Sequence, residues 1–467
     1  MGGFFGCVSK QDCVTDVFYG TDYHSHLGTK RGGLAFQNRQ GMTKSIKNIE
    51  NTYFRTKLEP DLPKLSGKKG VGVISDTDAQ PLIIGSHLGT FGIVMVGRIN
   101  NMRDIARGAF KQGLHFSEVS EGAVNPTELV AMLINQQRSY EEGIAYAQEV
   151  IQGSCSLLLL TEDGIYAARD RLGRTPVILG KKAGTFAATS ETCALFNLGY
   201  EVVRDLGPGE IVCFTAEGYE QRKAPGDELQ ICSFLWVYYG YPASSYENIN
   251  VEQVRYRCGQ AMAERDDIPI DFVGGIPDSG IGHAIGYANK KGVPYQRPFV
   301  KYTPTWPRSF MPADQRMRDL VARMKLIPVP QMISGKRVVF CDDSIVRGTQ
   351  LKDNVQILFD FGAKEVHMRT ACPTLIYPCE YLNFSPSRST LDLLGRKVIY
   401  ELEGGNMDAI EEYATCGSEK NQAMVERIRE QLRLTSLKFQ LLEDMIKAIG
   451  LPKEKLCTHC WDGSSHF

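Results

Sequence analysis

The sequence predicts two mixed units in tandem: a stacked-sheet α+β domain over residues 1–235 and an α/β domain with a parallel sheet over residues 250–400. Three observations lead there. Residues 1 to about 230 carry short β-type runs separated by glycine turns. From about residue 250 strand and helix patterns alternate, as parallel strands with crossover helices require. Beyond Asp392 the pattern turns to charged, helix-period segments.

In the first half the β-type runs fall at 90–96, 156–160, 165–168 and 210–214. The join between halves is expected within 230–250, at the polar, tyrosine-rich stretch around Gly240 and Ser244. In the second half a strand at 272–276 precedes a helix at 281–290, a strand at 338–341 precedes a helix at 351–361, and another strand follows at 365–370. Helical segments are predicted at 419–432 and 437–449, within a C-terminal region, 401–467, expected to pack on the second domain.

With 467 residues, 43% hydrophobic and 23% charged, the chain is long enough for two or three packed domains. Its formal net charge of −1 gives no footprint for nucleic acid or an acidic membrane surface, so neither partner is expected. The N-terminus Met1-Gly2-Gly3-Phe4-Phe5-Gly6 lacks the basic region and apolar core of a secretory signal, and a cytoplasmic location is expected. Thirteen cysteines in that setting argue for reduced thiols, metal ligation or catalysis rather than a disulfide framework. Cys155, Cys193, Cys213, Cys258, Cys341 and Cys372 lie in apolar runs and read as core residues, whereas Cys457-Thr458-His459-Cys460 stands apart.

Chemistry concentrates in the run Gly335-Lys336-Arg337-Val338-Val339-Phe340-Cys341-Asp342-Asp343-Ser344-Ile345-Val346-Arg347-Gly348-Thr349. A β-branched strand delivers two adjacent carboxylates onto a turn of hydroxyl and glycine residues that opens a helix. Backbone N–H groups at such a turn bind a phosphate dianion, Ser344 and Thr349 add donors, and the paired acids suit two ribose hydroxyls. That combination reads as a phosphosugar site.

The run resembles the phosphoribosyl-pyrophosphate (PRPP) motif of type I phosphoribosyltransferases. Gly275-Ile276-Pro277-Asp278-Ser279-Gly280, between a strand and a helix, and Arg323-Met324-Lys325, with two cations for a pyrophosphate leaving group, extend the likeness. In the first half Tyr166-Ala167-Ala168-Arg169-Asp170-Arg171-Leu172-Gly173-Arg174-Thr175-Pro176, Ala188-Thr189-Ser190-Glu191-Thr192 and Arg204-Asp205-Leu206-Gly207-Pro208-Gly209-Glu210 match a glutaminase domain in order and spacing. Over roughly residues 2–462 the chain thus resembles the glutamine PRPP amidotransferase family, which begins purine synthesis. The resemblance implies an Ntn-hydrolase-like αββα domain followed by a type I phosphoribosyltransferase domain. It also implies that Asp342 and Asp343 hold the ribose and its Mg²⁺. Ser344, Arg347, Gly348 and Thr349 would form the 5′-phosphate loop, and Arg323 and Lys325 would meet pyrophosphate. A hydroxyl found beside the metal in some members falls on Gly280 here and is not carried over. The segment 301–311 corresponds to the family's mobile loop, with Pro304 and Pro307 expected to stiffen it.

Cys232, Cys379, Cys457 and Cys460 occupy the positions that ligate a 4Fe–4S cluster in the cluster-bearing members. Four thiolates, two of them spaced C-x-x-C, also suit structural zinc. The family position favours the cluster, as a staple for the C-terminal helices rather than an electron carrier.

The glutaminase half departs from the family. Its members attack glutamine with an N-terminal cysteine, and the alignment puts Gly2 at that position, with Cys7 displaced by five residues. The oxyanion Asn-Gly pair reads Val96-Gly97, the substrate-gripping arginine falls in Gly72-Val73-Ile74-Ser75-Asp76, and the Ser-Asp-Thr-Glu motif reads Asn125-Pro126-Thr127-Glu128. Only Arg31-Gly32 is kept. The expectation is an amidophosphoribosyltransferase-type enzyme that forms 5-phosphoribosylamine and pyrophosphate from PRPP, with ammonia or a partner-supplied amine as donor and no glutaminase of its own. The alternative is a non-catalytic PRPP- or nucleotide-binding regulator or scaffold. Purine nucleotides as inhibitors and a homo-oligomeric assembly are also expected by resemblance.

Overall fold

The computed structural model describes residues 2–117, 119–120, 122–302, 326–382 and 389–464. Two antiparallel sheets make up the N-terminal domain. In the first, strands lie in the order Glu201–Asp205, Ile178–Lys182, Thr185–Thr189, Gly2–Ser9, Lys69–Ser75, Arg31–Asn38 and Gly41–Asn48. In the second the order is Tyr219–Lys223, Ile211–Phe214, Ile165–Ala168, Gly153–Leu160, Gly89–Ile99 and Leu82–Ser86.

The pleat explains why these runs have apolar residues on both faces. Phe4, Val94, Val96, Leu158 and Leu160 point into one core shared by the two sheets. Their neighbours Ile93, Met95, Leu157 and Leu159 face outward against Pro126–Ile134 and Tyr140–Val150, helices capped by Asn125 and Ser139. On the other side Phe5 and Cys7 pack against helix Val14–Asp22. The result is the helix–sheet–sheet–helix layering expected of an αββα domain.

A four-stranded parallel sheet organises the second domain, in the order Phe272–Gly275, Arg337–Asp342, Glu365–Thr370 and Ser436–Phe439. Helices Val251–Glu264, Ile281–Lys291, Thr349–Asp360 and Glu419–Leu432 flank it. One expectation is corrected here: 437–449 is not a single helical segment. Leu437 pairs with Met368 as part of the fourth strand, and the helix is confined to Leu442–Ile449. Leu437, Phe439 and Leu441 recur every second residue before the helical period takes over, and edge pairing claims that alternating stretch. The C-terminal region therefore contributes a strand to the sheet as well as helices that pack on it.

The join between domains is also unlike a polar linker. Leu235, Trp236, Val237 and Tyr246 are buried in one cluster with Phe5 and Phe18 of the first domain and Val254, Cys258 and Tyr287 of the second. Glu191 fixes the same seam. Its carboxylate accepts from Tyr246 Oη at 2.8 Å, Ser244 Oγ at 3.1 Å and His26 Nε2 at 3.1 Å. Burial opposes its ionisation, but His26 and these bonds hold the carboxyl down to about 2. Among the described residues no helix is long and apolar enough to cross a membrane.

Candidate functional site

The acid pair lies at the carboxyl end of the strand Arg337–Asp342, between two parallel neighbours. Gly275 is in register with Cys341, and Asp342 with Thr370. Ligands of open parallel sheets bind in such a crevice. Asp342 Oδ1 accepts from Ser279 Oγ at 2.8 Å and from the Asp343 N–H at 2.9 Å, while Ser344 Oγ donates to Asp343 Oδ1. Loss of water contact, and then the adjacent Asp343 charge, push Asp342 well above the usual carboxylate range. Asp343 is raised as well, chiefly by burial. Two neighbouring carboxylates that resist ionising together suit a cation and a hydroxyl-bearing ligand, both of which favour the charged form.

Beyond the acids the chain turns through Ser344 to Gly348, whose φ of 72° opens helix Thr349–Asp360. A Cβ on Gly348 would stand 2.8 Å from Leu394 Cδ2, so both its backbone conformation and its packing require glycine. The loop is braced from outside by the Leu394 N–H, which donates to the Val346 carbonyl at 2.7 Å. Arg347, more than half exposed, has Nη2 3.7 Å from Asp392 Oδ2. Thus Asp342, Asp343, Ser344, Arg347, Gly348 and Thr349 form one continuous turn at a helix N-terminus, an arrangement able to hold a phosphate. Arg323 and Lys325, and the loop from residue 303 to 311, lie outside the described residues.

Two contributors were not singled out from sequence. Ser279 lies in the neighbouring strand-to-helix turn, and only the adjacency of the two strand ends reveals it as the donor to Asp342. Arg255, buried on helix Val251–Glu264, donates to the carbonyls of Trp236, Tyr238 and Gly240 at 2.8–3.1 Å while its charge acts on Asp343. No motif marks it.

Gly2, expected from sequence at the family's nucleophile position, is buried, and a Cβ there would collide with the Ile74 carbonyl oxygen and stand 3.4 Å from Ser75 Cα. Both obstacles are backbone. Gly2, Ser75 and Arg31 share a cross-strand row, so the retained Arg31 is two strands away. Val96 is buried in the inter-sheet core, and Cys7 packs fully buried on the opposite face. The Asn125–Glu128 segment turns inward: Asn125 caps the helix and Thr127 Oγ1 donates to Asp78 Oδ2 at 2.5 Å. Asp78 Oδ1 also accepts from Thr77 Oγ1 at 2.5 Å and Gln80 Nε2 at 3.2 Å. These polar groups satisfy each other within the domain.

Cys232, Cys379, Cys457 and Cys460 line a single cavity of about 10 Å³ with Arg174, Phe234, Tyr381, Leu382 and Trp461. Cys232 and Cys457 are in register across a parallel bridge. Cys460 is pushed well above the usual thiol range by its hydrogen bond with Cys379 and then by burial, and burial pushes Cys457 up to about 11. Among the described residues no three His, Cys, Asp or Glu side chains stand close enough to hold a single metal ion. A cavity of that size has room for about one water molecule, and Cys460 and Cys379 are hydrogen-bonded to each other, so this arrangement supports neither a 4Fe–4S cluster nor zinc. All thirteen cysteines are free.

Residues 69–197 match the family model of a glutamine amidotransferase domain. The chain is 31% identical to amidophosphoribosyltransferase 1 of Arabidopsis thaliana, a chloroplastic protein, over 94% of this chain and 74% of that protein. It is 29% identical to the amidophosphoribosyltransferase of Methanocaldococcus jannaschii over 99% of this chain and 97% of that one. In three dimensions it matches the glutamine PRPP amidotransferase of Bacillus subtilis, solved in complex with ADP and GMP. The TM-score is 0.85 at 27% identity, covering 99% of this chain and 96% of the other.

Proposed function

The chain belongs to the amidophosphoribosyltransferase family, and from that premise we propose that it transfers the phosphoribosyl group of PRPP to ammonia rather than to nitrogen from its own glutaminase. The observation that carries the transfer reading is the hydrogen-bonded acid pair Asp342–Asp343 at a strand end, leading through Gly348 into a helix N-terminus. Ammonia attacks the anomeric carbon, the bond to pyrophosphate breaks, pyrophosphate leaves with the electron pair, and the nitrogen sheds a proton to solvent. The products are 5-phosphoribosylamine and pyrophosphate.

In this reading Asp342 and Asp343 orient the ribose hydroxyls, with Ser279 and Ser344 holding the carboxylates in place. Ser344, Thr349 and the N–H groups of the loop seat the 5′-phosphate, Arg347 adds charge at the rim, and Arg323 and Lys325 meet the leaving pyrophosphate. Mg²⁺, when bound at the acid pair, neutralises phosphate charge; positioning and charge balance are the protein's main contribution. The same loop would accept the phosphate of purine nucleotides, a competitive mode of inhibition. Closure of the backbone around Gly2 supports the absence of glutaminase.

Purified protein given PRPP, Mg²⁺ and ammonium is expected to release pyrophosphate, and glutamine in place of ammonium is expected to give little. Equal rates with the two donors would overturn the ammonia reading. No release with either would favour a PRPP-binding regulator.

A further inference from the structure

The join between the domains, residues 235–240, turns four carbonyls toward two buried side chains of the second domain. Arg255 Nε donates to the Trp236 carbonyl at 3.1 Å, and its Nη2 to those of Tyr238 and Gly240 at 2.8 Å each. His283 Nε2 donates to the Val237 carbonyl at 3.0 Å. Arg255 is 4% exposed and His283 fully buried. Among the described residues no carboxylate stands within ion-pair distance of Arg255, so its donors serve the backbone of the join. The join is fixed from its other side as well: Tyr239 Oη donates to the Leu27 carbonyl at 2.9 Å, and the Tyr241 N–H to Glu191 Oε1 at 3.3 Å.

Arg255 and His283 stand behind the turn that reaches Asp342. A Cβ on Gly282 would lie 3.0 Å from Arg255 Cβ, and one on Gly259 would lie 2.0 Å from the His283 carbonyl oxygen, so helices Val251–Glu264 and Ile281–Lys291 meet at backbone contact. The second of these helices opens directly from residues 276–280. That turn is seated on the end of the acid-bearing strand. The Ile276 N–H donates to the Cys341 carbonyl at 3.0 Å, a Cβ on Gly280 would stand 2.1 Å from the same oxygen, and Ser279 Oγ donates to Asp342 Oδ1 at 2.8 Å.

We infer that Arg255 and His283 are positioning residues for phosphoribosyl transfer: they strap the domain join to helix Ile281–Lys291 and so fix the Ser279 turn against Asp342. The inference rests on the reading that the acid pair binds PRPP. A carboxylate that orients ribose hydroxyls has to be held to within a fraction of an ångström, and a small misplacement far from the reacting atoms is enough to cost turnover. Ser279 can hold Asp342 only while the helix behind it stays put. Four carbonyls of one short segment, caught by two rigid, buried side chains, provide that support. The charge of Arg255 also acts on Asp343, so the test has to separate charge from position.

The test compares the full chain with Arg255→Met, Arg255→Lys, His283→Phe, Ser279→Ala and the double variant Arg255→Met/Ser279→Ala. PRPP affinity is measured by calorimetry at saturating Mg²⁺, kcat and KM for PRPP by pyrophosphate release with ammonium, and folding by urea midpoint. Arg255→Met and Ser279→Ala are each expected to weaken PRPP binding and raise its KM about 10-fold. The double variant is expected to stay near that same loss, because residues that act through one another are not additive. Arg255→Lys keeps the charge but cannot reach three carbonyls, and is expected to behave like Arg255→Met. His283→Phe cuts one bond of the strap and is expected to lose about 3-fold.

Wild-type affinity in folded Arg255→Met overturns the inference while leaving PRPP binding intact. Losses that multiply to about 100-fold in the double variant show that Arg255 does not act through Ser279, and rescue by Arg255→Lys assigns the effect to charge; either overturns it. If Arg255→Met does not fold, His283→Phe decides, and wild-type affinity in that variant overturns the inference. Failure of both to fold assigns the strap to folding alone and overturns it equally. A wild-type chain that binds no PRPP overturns the reading of the acid pair along with it.

Discussion

The N-terminal pocket and the phosphate loop treat their polar groups in opposite ways. Around Gly2 everything is resolved inward: Asp78 collects Thr77, Gln80 and Thr127, and the space a nucleophile would need belongs to the Ile74 and Ser75 backbone. At the loop two adjacent carboxylates are held where they resist ionising, with Ser279 and Ser344 orienting them. Satisfied groups stabilise a fold, whereas groups kept available for a ligand store unfavourable energy until it arrives. The proposed function assigns the phosphate loop, not the pocket around Gly2, to catalysis.

The largest effect should come from the loop. Asp342→Asn/Asp343→Asn is expected to lower pyrophosphate release with ammonium by roughly 1,000-fold, the scale of losing charged ligand positioning, and to abolish PRPP binding by calorimetry. Unchanged affinity would remove the ribose role. Next is the reverse experiment on the closed pocket. Gly2→Cys is expected to give no glutamine-dependent turnover and to destabilise the protein by about 3 kcal/mol, because overpacking against backbone has no flexible neighbour to yield. Recovery of glutaminase at wild-type stability would show that the pocket is merely missing its nucleophile.

How far this contrast could be read in advance differs for the two halves. The loop was legible because its groups are consecutive: strand, Asp342, Asp343, turn, Gly348 and helix all lie in one run. Ser279 and Arg255 were not, since they reach Asp342 and Asp343 from 63 residues away in one case and through the charge of a neighbouring helix in the other. Gly2 and Val96 could be read one by one in the sequence, but not that backbone stands against Gly2. Phe272–Gly275 and Glu365–Thr370 followed from the alternation of strand and helix patterns beyond residue 250. Ser436–Phe439 was hidden because four residues beside a helix carry too little period to separate strand from helix.

Acid should expose the N-terminal domain's dependence on its buried groups. His24 is fully buried; its Nδ1 donates to the Gly20 carbonyl at 2.8 Å, its Nε2 is hydrogen-bonded to Thr189 Oγ1 at 3.0 Å, and burial lowers its pKa to about 4. The unfolded chain takes up that proton near pH 6.5, so this contribution to stability is complete above 6.5 and is lost as pH falls toward 4. The loss is on the order of 3 kcal/mol. Urea unfolding at pH 7, 5.5 and 4.5 should show that slope, and His24→Gln should flatten it; parallel slopes would assign the acid sensitivity elsewhere. His283 in the second domain, lowered by burial to about 3, extends the same liability to lower pH.

The smallest effects test the contrast most directly, because they should differ in sign. Thr127→Val removes the hydroxyl that donates to the buried Asp78 and keeps the side chain's shape, so it should cost roughly 1–2 kcal/mol. Asp343→Asn, measured in chelator without PRPP, removes one of two neighbouring carboxylates and should stabilise the protein by roughly 1 kcal/mol even as it impairs binding. Both are read as shifts in urea midpoint at constant m-value, so a change in the unfolded ensemble would be apparent. If both substitutions destabilise, the acids of the loop are structural and the distinction between a resolved pocket and a poised one fails. If Asp343→Asn alone stabilises, the energy held at the loop has been measured independently of catalysis.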